Sequence, residues 1–314
     1  MSRLDVRFAS MGTEARVRLE CDALSPAELD GYAAVVRAVL DDVERALSRF
    51  RPGSELCAVN RDPRAVVPVS PLLGELARAA EWARSRSGGL VDATLVGELE
   101  AAGYATSRAG VAPAPLDEAL RAAPPRRPAR CRKPAARALR VDASGRLHRA
   151  PGVRLDSGGL GKGLAADLAA SLLPPDVRFA IDCGGDLAVG GPGGPWQVAV
   201  ASARTGAEAA RLQVRAGGVA TSGIHARLWR CADGGFAHHV LDPATGRPAW
   251  TGVVAVTAVG ASALEAEVLA KSALLSGPER ARAVLFRRGG VLQHDDGRVE
   301  VLGGMPFVRL RAAA

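Results

Sequence analysis

The chain has 314 residues, of which 48% are hydrophobic and 24% are charged, a composition typical of a soluble globular protein. No apolar run reaches the ~18 residues that a membrane-spanning helix needs, so we expect no membrane span. The net charge of +8 arises within residues 121–140, which hold eight basic residues and no acidic one, so the rest of the chain is formally neutral.

The basic segment of residues 121–140 is also rich in proline and alanine, and it contains no aromatic side chain that could stack on a nucleic-acid base. Charge runs of this kind are usually solvated surface segments. We therefore predict a solvated, poorly ordered loop here, and no nucleic-acid partner.

The first twenty residues and the cysteines both bear on the cellular compartment. Residues 1–20 carry alternating charges and neither an apolar core nor a small-residue cleavage site, so we expect no secretory signal. The five cysteines are far apart and form no CxxC pair, which favours reduced thiols over a disulfide framework or a zinc site. Together these features predict a cytoplasmic protein.

In chain order, the pattern first predicts a hairpin with its turn at residues 10–13, between two segments of strand-like alternation. Capping boxes at residues 25–28 and 262–265 predict the starts of two long helices. The second of these helices should end at Gly277 and Pro278. From residue 177 onward, short apolar runs alternate with glycine-rich turns. The fold class predicted is therefore α+β, with mostly antiparallel sheets flanked by helices.

Residues 156–163 hold the densest group of potential ligand-binding residues. Glycines before a helix start can leave backbone N–H groups free to approach an anion. The segment matches neither a Walker A loop, which needs Ser or Thr where Gly163 stands, nor the Rossmann glycine spacing. Lys162 is one of only three lysines among 41 basic residues, and arginine cannot replace a compact ammonium. Phosphate binding and a plain glycine turn both remain open from these residues alone.

Four further segments combine glycine with an acid or a hydroxyl group. Each alone could be an ordinary turn, since Asp-Pro and Thr-Gly are turn formers. Taken in order with the segments above, however, they resemble the signature blocks of the FAD:protein FMN transferases (ApbE-like flavin transferases). The blocks are residues 10–13, 50–60, 89–94, 156–167, 184–186, 221–223 and 239–248.

The resemblance covers roughly residues 8–277 and is weakest at residues 105–150. It implies a single ApbE-like, T-fold-like domain over residues 1–314, with a Pro/Ala/Arg-rich insertion at about residues 105–150. It also implies a transferase that uses FAD as substrate and Mg²⁺ as cofactor. Such an enzyme attaches FMN to a Ser or Thr of an acceptor flavoprotein and releases AMP.

The resemblance further implies roles for individual residues. His239 would deprotonate the acceptor hydroxyl, and a histidine has an ordinary pKa of about 6.5 that suits a general base; a turn histidine bonded to the backbone remains the alternative. Lys162 would offer its charge to the pyrophosphate and share in catalysis. The residues implied to bind FAD are Met11, Phe50, Leu90, Val91, Asp92, Asp156, Lys162, Thr221, Val240 and Lys271.

The implied metal site departs from the family pattern. In the family pattern, the metal faces the backbone carbonyl at the position of Gly159. It is also bound by an Asp and, four residues later, by a Thr on a late helix. In this chain the Asp and Thr positions hold Glu267 and Lys271. The helical periodicity places Lys271 within an apolar arc and Glu267 at its edge, which argues against an exposed ion pair. Two interpretations stay open. The Lys271 ammonium takes over part of the role of Mg²⁺, or the chain binds FAD and no longer transfers FMN.

Overall fold

The computed structural model describes residues 1–132 and 139–303 and the backbone of residues 311–312. Within these ranges the chain forms seven α-helices and one short 3-10 helix, His225–Arg227. The helices are α1 (Pro26–Leu47), α2 (Glu55–Arg61), α3 (Pro71–Arg86), α4 (Val96–Ala101), α5 (Leu116–Ala122), α6 (Gly161–Ala170) and α7 (Ala263–Leu285). None of them combines the length and the apolar character that crossing a bilayer requires.

The strands of the described residues are mostly short and paired antiparallel. They are β1 (Ser2–Ser10), β2 (Thr13–Cys21), β3 (Val66–Pro68), β4 (Arg140–Val141), β5 (Arg146–His148), β6 (Arg178–Cys183), β7 (Asp186–Gly190), β8 (Trp196–Ala201), β9 (Glu208–Val214), β10 (Gly217–Gly223), β11 (Leu228–Arg230), β12 (Phe236–His238), β13 (Leu241–Asp242), β14 (Arg247–Pro248), β15 (Val253–Gly260), β16 (Gly290–His294), β17 (Val299–Leu302) and β18 (Arg311–Ala312).

One eight-stranded sheet organises the molecule, in the order β1-β2-β6-β7-β10-β15-β16-β17 with every neighbouring pair antiparallel. Its helix-covered face packs against α1, α6 and α7, and the small sheet of β8 and β9 covers part of the opposite face. Because β15 lies between these two layers, all eight of its residues are buried. The predicted α+β class with mostly antiparallel sheets is confirmed.

Several predicted element boundaries agree with the structure. Ser25 and Glu28 form the complete capping box at the start of α1, and the Ser262 side chain caps α7. Helix α7 changes direction at Gly277, where φ is 74° and Pro278 follows. The hairpin turn also lies where the pattern places it, between β1 and β2.

Glycines in the sheet allow α7 to approach very closely. A Cβ atom on Gly218 would lie 2.3 Å from the backbone nitrogen of Ala263, and one on Gly260 would lie 2.5 Å from that of Ala266. Side chains at these two positions would therefore push the first turn of α7 away from the sheet. The close packing sets the position of Glu267 and Lys271, which follow one and two turns later.

As far as residue 132, the basic segment is mostly exposed to solvent, as we expected, but it is held against the rest of the fold. The backbone of Ala129 donates to the carbonyl of Leu275 at 2.8 Å, and Arg126 pairs with Asp295 at 2.6 Å. Arg132 pairs with Glu98 at 2.5 Å. The segment is not the poorly ordered loop that we expected, because the side chains of Arg126 and Arg132 reach acidic groups distant in sequence. Residues 133–138 of the segment lie outside the described residues.

Candidate active site

Two adjacent cavities, of about 650 and 110 Å³, lie where the C-terminal end of α1 meets the start of α6 and the second to fourth turns of α7. The turn of the β1–β2 hairpin and the end of β10 complete the larger one. Both cavities are lined by Arg49, Tyr104 and Asp156, so they are two lobes of one site. The larger lobe falls within the usual range of small-molecule pockets.

All the site residues selected from the sequence border this two-lobed site, although the segments that supply them are far apart in the chain. The larger lobe is lined by Met11, Lys162, Thr221 and Glu267, the smaller by Leu90, Val91, Asp92, Gly159 and Val240, and both by Phe50, Asp156, His239 and Lys271.

Asp156 is held at the junction of the lobes by Arg49, a residue that the sequence analysis missed. The Arg49 Nε donates to Asp156 Oδ1 at 3.0 Å, and its Nη1 donates to the carbonyl of Tyr104 at 2.7 Å. The guanidinium also lies 4.2 Å from the ring centroid of Phe50 and 5.0 Å from that of Tyr104. These contacts fix the Asp156 carboxylate and two aromatic rings as one unit beside the cavity.

Lys162 is partly exposed and forms an ion pair with the buried Asp186. Asp186 is only 1% exposed, and its Oδ1 has no hydrogen-bond partner among the described residues. Burial lowers the pKa of Lys162, but the charges of Asp186 and Glu267 outweigh burial and raise this pKa above its ordinary value. Lys162 is therefore a permanent cation on the wall of the larger lobe.

In the glycine segment before α6, for which phosphate binding and a plain turn were both open, three backbone N–H groups are already engaged within the protein. The N–H groups of Leu160 and Gly161 donate to the carbonyl of Ser157, at 3.0 and 2.7 Å. The N–H group of Gly163 donates to Glu267 Oε2 at 3.0 Å. These three amides are therefore not free to bind an anion, and the ammonium groups of Lys162 and Lys271 place positive charge on the wall of the site.

Glu267 and Lys271 lie one turn apart on α7 and both face inward. Glu267 is 3% exposed, and its Oε1 lies 3.7 Å from the Lys271 Nζ. The same Nζ donates to the carbonyl oxygen of Gly159 at 2.8 Å. Burial raises the pKa of Glu267 to about 7, with repulsion from Asp186 acting in the same direction and attraction to Lys271 opposing it. The prediction that Glu267 and Lys271 do not form an exposed ion pair on the helix is confirmed.

His239 and its neighbour His238 are in different environments. His239 borders both lobes, and its Nδ1 lies 3.5 Å from the carbonyl oxygen of Arg227, which favours a proton on Nδ1 and a free lone pair on Nε2. Burial, followed by repulsion from Lys271, lowers the pKa of His239 to about 3. His238 is fully buried, 4.7 Å from the ring of Trp250, and does not line the site. His239 is thus the neutral imidazole that faces the cavity.

The family match decides the relationship of this chain to known proteins. The model of the ApbE family matches residues 11–293. The chain belongs to the ApbE family. An FAD:protein FMN transferase from Treponema pallidum is 30% identical over 97% of this chain and 85% of the relative. An FAD:protein FMN transferase from Klebsiella pneumoniae (strain 342) is 28% identical over 89% of this chain and 80% of that relative. The crystal structure of the ApbE protein from Thermotoga maritima gives a TM-score of 0.78 at 23% identity, over 96% of this chain and 97% of that one.

The metal position that the ApbE resemblance implies does not suit a divalent cation in this member. Mg²⁺ binds oxygen at about 2.1 Å, so an ion on the Gly159 carbonyl would lie within about 5 Å of the Lys271 Nζ that this oxygen already binds. At an effective dielectric constant of about 20, a divalent and a monovalent cation at this distance repel by about 7 kcal/mol. Within the described part of the chain, no group of three His, Cys, Asp or Glu side chains is placed to hold a metal ion.

Three residues of this ApbE site were missed from the sequence, and each left only a weak signal. Arg49 directly precedes Phe50 in a signature block. Asp186 ends the block at residues 184–186, but nothing local indicated that it would pair with Lys162. Tyr104 is one of only two tyrosines in the chain, yet it lies in the stretch between blocks. Its ring stacks at 5.7 Å from that of Trp229.

Proposed function

We propose that this chain transfers FMN from FAD to a Ser or Thr hydroxyl of an acceptor flavoprotein and releases AMP. The observation that carries the proposal is the arrangement of three groups around the larger lobe. A neutral His239 and the ammonium groups of Lys162 and Lys271 all border this cavity. Membership of the ApbE family, and the names of its relatives from Treponema pallidum and Klebsiella pneumoniae, support the same activity.

The reaction requires little covalent work from the protein. The acceptor oxygen forms a bond to the flavin-side phosphorus of FAD, and the bond from this phosphorus to the bridging oxygen breaks. Its electron pair leaves with AMP. Such a transfer is accelerated chiefly by positioning and by neutralisation of the charge that develops on the phosphoryl oxygens. Lys162 and Lys271 supply this neutralisation, and the buried carboxylates Asp186 and Glu267 keep both ammonium groups in place.

The hydroxyl proton goes to His239. With its Nδ1 directed at the Arg227 carbonyl, the imidazole accepts the proton on Nε2. The lowered pKa keeps the base neutral before the reaction. The negative pyrophosphate of bound FAD attracts the imidazolium as it forms, which offsets the unfavourable effect of burial.

The activity is tested by incubating the protein with FAD and a library of short Ser- and Thr-containing peptides. We expect peptides that have gained the mass of one FMN group, together with an equal amount of AMP. FMN in place of FAD is the control, and it should give no adduct because it has no AMP to release. Binding of FAD without adduct or AMP would instead support the alternative, a binding protein that has lost the transfer step.

We expect the site to bind FAD at least tenfold more tightly than FMN, a difference of about 1.4 kcal/mol. The two lobes, of about 650 and 110 Å³, provide room beyond the flavin for the adenylate half, which FMN lacks. Calorimetric titration with each flavin measures the difference. Equal affinities would show that the adenylate half of FAD makes no useful contact.

For the compartment, the cytoplasm remains our proposal. All five cysteines lie within the described residues and none is paired in a disulfide, which supports a reducing environment.

A further inference from the structure

We propose that the Lys271 ammonium is a built-in replacement for the divalent cation, so that this chain binds the pyrophosphate of FAD without a metal. This inference rests on the proposed function, because it concerns how the same site neutralises the substrate. It assigns to Lys271 the role of a tethered cation, which no chelator can remove.

The first support is the specific position of the ammonium. Lys271 Nζ donates to the Gly159 carbonyl at 2.8 Å and lies 3.7 Å from Glu267 Oε1. Gly159 and Glu267 hold two of the three positions from which the family resemblance would have a metal bound, and Lys271 itself holds the third. A cation therefore lies between both groups, but it is carried by α7.

The second support is that both charged groups lie against glycines that a side chain would obstruct. A Cβ atom on Gly159 would lie 2.5 Å from the Lys271 Nζ, and one on Gly163 would lie 2.9 Å from Glu267 Oε2. Neither distance is sterically possible without movement of the charged side chain. The turn before α6 is thus shaped to receive the pair from α7.

The third support is the capacity of the ammonium to bind a further anion. An ammonium has three N–H donors, and the Gly159 carbonyl takes one of them. The Glu267 oxygen at 3.7 Å is beyond ordinary hydrogen-bonding distance. Lys271 borders both lobes of the site, so its remaining donors can reach a pyrophosphate at their junction.

The test is the dissociation constant of FAD, measured by calorimetry in EDTA and again in millimolar Mg²⁺. For the unmodified chain we expect values within about twofold of each other. A loss of more than tenfold in EDTA would overturn the inference and leave the proposed function standing. Binding in neither condition would overturn both. This comparison needs no variant and does not depend on how a substitution affects folding.

Variants sharpen the result. Lys271→Ala should weaken FAD binding at least tenfold in EDTA. The double variant Lys271→Thr with Glu267→Asp should bind weakly in EDTA and recover at least tenfold with Mg²⁺. Arg37→Ala is the matched control, because Arg37 and Asp41 form an exposed pair at the same spacing on α1, and it should change affinity less than twofold. A change below threefold for a folded Lys271→Ala protein would overturn the inference.

Discussion

Replacement of His239 by asparagine is expected to lower the rate of FMN transfer by about 10²–10⁴-fold, the range that loss of a general base produces. The affinity for FAD should stay within about threefold, because His239 is neutral and acts on the acceptor. The reason for the large effect is that His239 lines the cavity and its Nδ1 lies near the Arg227 carbonyl, which leaves Nε2 as the nitrogen able to accept a proton. Transfer rates at saturating FAD, followed by AMP release, measure the change.

The neighbouring histidine provides the matched control for this experiment. His238 is fully buried, and neither ring nitrogen has a hydrogen-bond partner among the described residues. In His238→Phe an aromatic ring keeps the contact with Trp250, and the transfer rate should be unchanged. A His239→Asn enzyme that retains more than a tenth of the activity would show that another group accepts the proton.

Replacement of Lys162 by methionine is expected to lower the free energy of unfolding by about 3–5 kcal/mol, the usual cost of removing one partner of a buried ion pair. The variant leaves Asp186 with no countercharge at a site that is 1% exposed. FAD affinity should also fall at least tenfold, because a charge-assisted hydrogen bond contributes about 1.5–3 kcal/mol. Urea unfolding and calorimetry measure the two effects separately.

A second substitution identifies the cause of this destabilisation. Adding Asp186→Asn removes the unpaired charge and should restore most of the stability without restoring FAD binding. If the double variant is as unstable as Lys162→Met, lost packing and not the charge is responsible.

The fold class and the candidate site were predictable because their signals are local in sequence. A capping box spans four residues, and a buried stripe repeats every three or four, so the starts of α1 and α7 were readable directly. The signature blocks are also short and occur in a set order. Met11, Asp156 and His239 were consequently selected without knowledge of how the sheet pairs, and all three border the site.

Tertiary structure alone decided which groups hold the selected residues in place. Arg49 reaches Asp156 across 107 residues of sequence, and Lys162 reaches Asp186 across 24. Local sequence patterns do not predict such pairs, because hydrogen bonds and ion pairs depend on the distance between groups in space and not along the chain. The same limit applies to the basic segment, where Arg126 and Arg132 pair with acids from distant parts of the chain.

Lys271 shows both contributions at a single residue. The periodicity of α7 determined that its side chain points inward, since the apolar positions around it define one face of the helix. The tertiary packing decided which groups the Lys271 ammonium contacts there. Glycines in the sheet let α7 approach closely, and this brings Nζ to the Gly159 carbonyl, 112 residues away in sequence. A helical period specifies a direction, whereas the partner in that direction depends on how separate elements pack.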